Sequence, residues 1–203
     1  MLPGMGATAA MYNGLKHKLG FPVDFLNWPA YSSEKTYTDV ARRIIKEHAI
    51  GKEDVVGGSS LGGMVALEIA QLTNAKAIVP LGSAVDRKEV QTLLSLLAPI
   101  ATAAPMTIIQ ALVGTHQSLV STMFADSDPE FIRAMCLYLP SWNGYDGPMK
   151  KVFRLHGKKD HVIPCPTSRC EVVETAGHLL AITHAAETAA FLQRVYWQLD
   201  ANS

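Results

Sequence analysis

The sequence is short of cysteine, of charge imbalance and of any leader-like opening. Its three cysteines, Cys136, Cys165 and Cys170, are odd in number and lack metal-type spacing. That excludes a disulfide framework and reads as reduced thiols in a reducing compartment, hence a cytoplasmic protein. Lys and Arg together number 18, as do Asp and Glu, for a formal net charge of zero. With no basic run or stripe, nucleic acid is excluded as a partner. Met1-Leu2-Pro3-Gly4 goes straight into a turn, so no signal peptide is read. There is no internal repeat. Residues 90–125 carry no Asp, Glu, Lys or Arg. Pro99, Pro105 and scattered Gln, Ser and Thr interrupt that run, so no stable membrane insertion is expected. What remains is a chain of 203 residues, 48% hydrophobic and 18% charged. That composition suits one globular domain with a sizeable core.

The informative stretch is residues 54–72, DVVGGSSLGGMVALEIAQL. It reads as a short buried strand, a glycine-packed turn and a buried helix. Gly58-Ser59-Ser60-Leu61-Gly62 fits G-x-S-x-G with Ser60 at the centre; centring on Ser59 would put Leu61 where the second glycine belongs. Such a turn forces the serine into a strained backbone conformation, and its neighbours two residues away must be tiny. The helix behind it would bring its positive end and its N–H groups beside the serine. A glycine-rich turn with incidental serines would match the same five residues, so the rest of the chain has to decide.

Around this stretch the pattern is α/β. Residues 8–19 read as a helix with Thr8 as N-cap, 23–28 as a strand and 36–49 as an amphipathic helix. Residues 53–59 and 76–81 are apolar runs expected of buried parallel strands. Residues 84–146 break the rhythm with helical segments punctuated by proline and glycine, an insertion expected over one edge of the sheet. The rhythm returns with strands at 151–155 and 169–174 and a closing helix over 183–199, Thr183 as its N-cap.

A serine hydroxyl needs a base within hydrogen-bond reach, and the base needs an orienting acid. In open parallel sheets such groups collect at the carboxyl ends of strands. Asp160, in LHGKKDHVIP, and His178, in ETAGHLL, each follow a predicted strand. The chain order Ser60, Asp160, His178 is the one that goes with this elbow. Asp86 is the rival acid. His161 and His184 are less well placed, and His156 reads as the strand end. For the oxyanion, the N–H of Leu61 directly follows the nucleophile. The N–H of Met5, in the glycine-rich turn Pro3-Gly4-Met5-Gly6, is the second expected donor.

The elbow GGSSLGG with the LHGKKDHVIP and TAGH segments resembles the α/β-hydrolase superfamily, in particular its small cap-bearing members. The resemblance spans nearly the whole chain. It implies a mostly parallel sheet of about six strands flanked by helices, with a core over residues 1–83 and 147–203 and a helical cap over 84–146. It further implies Ser60 as nucleophile, Asp160 as acid, His178 as base and Met5 and Leu61 as oxyanion donors, with no metal or organic cofactor. Two departures stand out. Pro3-Gly4 replaces the usual His-Gly, and only Met1 and Leu2 precede a loop that a strand pair and a full strand usually precede. Either the sheet is reduced or the chain is truncated, and the neighbouring edge is then less protected, which leaves a homodimer open.

The chemistry expected is acyl transfer on a small-molecule ester. The cap is rich in apolar residues, among them Leu97, Met106, Ile109, Met123 and Phe124, which are expected to line a hydrophobic acyl site. The reading is a carboxylesterase for neutral esters of short to medium acyl chains. The alternatives are a thioesterase, lactonase or acyltransferase, a triad-dependent lyase, or a non-catalytic ligand receptor on the same scaffold.

Overall fold

A computed structural model describes residues 1–97 and 128–201 of the chain. Its centre is a parallel sheet of four strands in the order β1-β2-β3-β4. They are β1 (Val55–Ser59), β2 (Ala77–Leu81), β3 (Leu155–Gly157) and β4 (Glu171–Val173). β1 and β2 pair over their full length, Val55 opposite Ala77 and Ser59 opposite Leu81. All five residues of β2 are buried, which is why it carries no polar alternation. The far side of β1 holds an isolated parallel bridge between Leu2 and Gly58.

The helices follow from capping and from which face is apolar. α1 (Asn13–Lys16) continues a 3-10 turn, Ala9–Tyr12, whose N-cap Thr8 accepts the Ala10 N–H. α2 (Tyr37–His48) starts at Thr36, whose side chain accepts the Asp39 N–H, and buries Tyr37, Val40, Ala41 and Ile44. α3 (Leu61–Thr73) is buried from Leu61 to Ala70. It packs along β1 and β2, with α2 against it. After β2 come a 3-10 turn, Arg87–Val90, and α4 (Gln91–Leu97). α5 (Pro129–Tyr138) is capped by Asp128. The chain closes with α6 (Leu180–Thr183) and α7 (Ala185–Asp200).

Three local readings need correction. Residues 23–28 form no strand. Their contacts with Met1 are two bonds, the Met1 ammonium to Asp24 O and Leu26 N–H to Met1 O, too few for a ladder. The strand expected over 151–155 starts at Leu155. Lys151 instead ends a 3-10 turn, its ammonium held by the Asn74 side chain and the carbonyls of Asn74 and Ala75. Thr183 is not an N-cap. It ends α6, its hydroxyl bonded back to Leu179 O, and the helix restarts after His184, where φ is −128° and ψ 49°.

Cys136, Cys165 and Cys170 form no disulfide. Among the described residues no helix is long and apolar enough to cross a membrane. A cavity of about 390 Å³ lies against the N-terminal half of β1, lined by Val55, Val56 and Gly57. Ser60, beyond the other end of that strand, is not among its lining residues.

Candidate active site

β1 ends at Ser59 and α3 begins at Leu61, so one residue makes the whole turn. That residue, Ser60, sits at φ 52° and ψ −120°, a conformation L-residues avoid. The surrounding backbone holds it there. Ser60 N–H donates to Leu81 O at 3.0 Å. Ser60 O accepts the N–H groups of Gly63 and Met64 and, at 2.6 Å, the Ser83 hydroxyl. The turn closes only because its flanks lack side chains. A Cβ on Gly58 would lie 2.4 Å from Gly62 C, and one on Gly62 would lie 2.3 Å from Pro3 O and 2.5 Å from Leu2 O.

The loops after β3 and β4 meet in front of Ser60. Lys158 N–H donates to Val173 O and Lys159 N–H to Ala176 O, which ties one loop to the other. Asp160, its side chain fully buried, and His178, with a side chain 8% exposed, come together at that junction. His178 Nδ1 lies 2.8 Å from Asp160 Oδ2, and His178 Nε2 lies 2.9 Å from Ser60 Oγ. A carboxylate only accepts, so Nδ1 carries the hydrogen and Nε2 is left to accept the serine proton.

Asp160 is the electrostatic anchor. Burial alone would raise its pKa, but hydrogen bonds from His156 and His178 outweigh burial and hold the carboxyl well below the ordinary carboxylate range. Oδ1 accepts the N–H groups of Val162 and Ile163 at 2.9 and 3.0 Å.

The Pro3–Gly6 loop lies against the serine: a Cβ on Gly4 would be 3.9 Å from Ser60 Cβ. Met5 is buried in that loop, and its sulfur lies 3.4 Å from Cys136 Sγ. Leu61 opens α3, where a backbone N–H precedes the first intrahelical acceptor. Tyr12 braces both pieces. Its hydroxyl donates to Leu2 O at 2.6 Å and accepts the Ser59 N–H at 3.0 Å.

Of the remaining sequence candidates, Asp86 is not with His178. It caps the 3-10 turn after β2, accepting the N–H groups of Lys88 and Glu89. His184 bonds Thr175 and Thr183. Leu97 ends α4. Met106, Ile109, Met123 and Phe124 lie outside the described residues. His156, read from sequence as a strand end, is the middle residue of β3, which ends one residue later at Gly157, and its ring also reaches Asp160. Among the described residues no three His, Cys, Asp or Glu side chains are grouped to hold a metal ion.

Known proteins give the geometry a context. No curated protein matches the sequence. Among solved structures, the chain is similar to a thermophilic esterase from Thermogutta terrifontis, with 15% identity, a TM-score of 0.75, and coverage of 98% of this chain and 88% of that one. A carboxylesterase structure from the ammonia-oxidizing thaumarchaeon Nitrososphaera gargenis gives 16%, 0.71, 100% and 90% in the same order. ClbQ from the colibactin NRPS/PKS pathway gives 16%, 0.69, 100% and 97%. At these identities the likeness is one of fold. A family model described as "Alpha/beta hydrolase family" matches residues 1–191. That match spans the elbow and both partner loops and reaches into α7, and the chain belongs to the alpha/beta hydrolase family.

Proposed function

We propose that the protein is a serine hydrolase that cleaves carboxylic esters through an acyl-enzyme. The observation that carries this is the unbroken hydrogen-bond chain from Ser60 Oγ through His178 to a buried, ionised Asp160. Ser60 Oγ attacks the ester carbonyl while His178 Nε2 takes its proton. Asp160 stabilises the imidazolium and fixes the ring's tautomer without taking the proton. The N–H groups of Leu61 and Met5 receive the oxyanion. His178 then protonates the departing alkoxide, the alcohol leaves, and an ester of Ser60 remains. Water attacks that ester with His178 as base, releasing the acid and restoring Ser60.

Residues 84–146 serve as the roof of the site, with Leu97, Met106, Ile109, Met123 and Phe124 forming an apolar acyl pocket. The substrate class is neutral esters of short to medium acyl chains, in a cytoplasmic setting. The esterase names of the fold neighbours support the reaction class. Hydrolysis of p-nitrophenyl esters from acetate to laurate, wild type against Ser60→Ala, tests the proposal. The expected result is a chain-length-dependent activity that falls at least about 10³-fold in the variant. Equal rates in the two proteins would sink it.

A further inference from the structure

A second histidine shares the carboxylate that orients His178. His156 is the middle residue of β3 and is completely buried. Its Nε2 lies 2.7 Å from Ile163 O and 3.1 Å from Asp160 Oδ2. A carbonyl and a carboxylate both only accept, so Nε2 must carry the hydrogen; it points to the nearer Ile163 O, with Asp160 Oδ2 in close electrostatic contact beside it. Nδ1 is then a buried lone pair with no hydrogen-bond partner among the described residues. The tautomer is set by Asp160 and Ile163 alone.

The arrangement is a clamp. The ring holds Ile163 through its carbonyl, while the N–H of the same Ile163 holds Asp160 Oδ1. Counting Val162, Asp160 Oδ1 receives two N–H donors, while Oδ2, the atom that His178 uses, also has the His156 N–H within 3.1 Å. A histidine serving only to seat the loop would be satisfied by the Ile163 carbonyl. This one also divides the charge that His178 feels.

We infer that His156 is a positioning residue: its Nε2–H holds Asp160 Oδ2 in line with His178 and keeps that oxygen a hydrogen-bond acceptor rather than a proton acceptor. The inference rests on Ser60, His178 and Asp160 acting as proposed above. Among the described residues the titratable groups around the clamp are few. Asp160 faces His156 and His178, and His178 faces Ser60 on its other side. Cys165, whose thiol is raised chiefly by burial, feels Asp160 and, in the opposite sense, Lys158 and Arg154.

Removing the donor concentrates negative charge on Oδ2 and loosens its orientation. His156→Leu is therefore expected to lower kcat about tenfold with little change in KM. It should also move the acid limb of kcat/KM up by about half a pH unit, because His178 holds its proton more tightly beside the less-shared charge. His156→Gln places an amide N–H near the position of Nε2 and is expected to restore both values. His156→Asn, whose amide falls short, should behave like Leu. The NMR resonance of the His178 Nδ1 proton, measured without substrate, should shift in the Leu and Asn variants and return in Gln.

A folded His156→Leu with wild-type kcat, limb and resonance overturns the inference. If the Leu variant does not fold, Gln against Asn decides: the same limb and resonance in both also overturns it, and a wild-type-like Gln beside a shifted Asn supports it. Ser60→Ala is assayed in parallel. Activity surviving that change defeats the proposed function, while the resonance test still reports on the clamp.

Discussion

The elbow and the helical stretch after β2 are built in opposite ways. At the elbow, residues 57–63 are held mainly by backbone: Ser60 gives and takes main-chain hydrogen bonds, and the two glycines that flank it at two residues, Gly58 and Gly62, face main-chain atoms alone. The described residues of the stretch 83–146 are moored to the rest of the chain largely by side chains. Arg154 donates to both oxygens of Glu89 and to Ser83 O. Trp142 donates to Glu68, Tyr37 to Met135 O and Tyr138 to Glu34 O. Among the described residues, the two ends of the stretch are joined through the backbone by an isolated bridge between Asp86 and Gly144 with Tyr145 N–H on Val85 O. Main-chain construction fixes atoms to the tolerance that bond making needs. Side-chain mooring lets a surface change one tether at a time, which suits the part of the molecule proposed to choose the substrate.

The contrast can be broken first at its strongest tether. Arg154 is 3% exposed in its side chain and Glu89 20%, so Arg154→Met strands a partly buried carboxylate and should cost about 3 kcal/mol in urea unfolding. Arg154→Met with Glu89→Gln should recover part of that loss, since Gln still accepts the Val85 N–H. A single-variant loss under about 1 kcal/mol would mean the mooring does not depend on this pair.

Next comes Gly62→Ala. Its Cβ cannot avoid the Leu2 and Pro3 carbonyls, so a loss of about 1–3 kcal/mol is expected with a disproportionate fall in kcat. Retained kcat in a destabilised protein would show that the elbow has more slack than its contacts indicate. The third effect shows only in acid. Asp160 titrates well below the usual range in the folded chain, so as pH falls past about 4 the unfolded chain takes up the proton first. The stability from ionised Asp160 is complete above that pH and drains away below it. Asp160→Asn should flatten this part of the pH–stability curve, and an unchanged slope would assign the acid sensitivity elsewhere. The smallest effect is a baseline in neither region: Thr36→Ala removes the α2 N-cap and should cost about 1 kcal/mol with ester hydrolysis unchanged.

What could be read in the sequence was whatever depends on near neighbours or on chain order. Gly58, Ser60 and Gly62 lie within one turn, so their spacing carries the turn's geometry. Asp160 and His178 each sit just beyond a strand of a parallel sheet, and position along the chain therefore predicts position in space. His156 escaped because its role depends on where the ring nitrogen of a residue on β3 points relative to the loop that follows. The reading of residues 23–28 as a strand failed because an apolar run does not reveal whether a pairing partner lies beside it. Thr183 failed as a cap because the closing helix breaks one residue later, at His184, and periodicity ran through the break.

The carbonyls of Leu2 and Pro3 fill the space that a methyl group on residue 62 would need. A mutation at 62 is therefore also a mutation in the first loop, although the two are far apart in the chain. In a laboratory evolution experiment position 62 is therefore closed to side chains, because the carbonyls that block it are main-chain atoms that no substitution at residue 2 or 3 removes. If residues 84–146 roof the site as proposed, new substrate preferences are to be sought in libraries there, with the elbow left untouched.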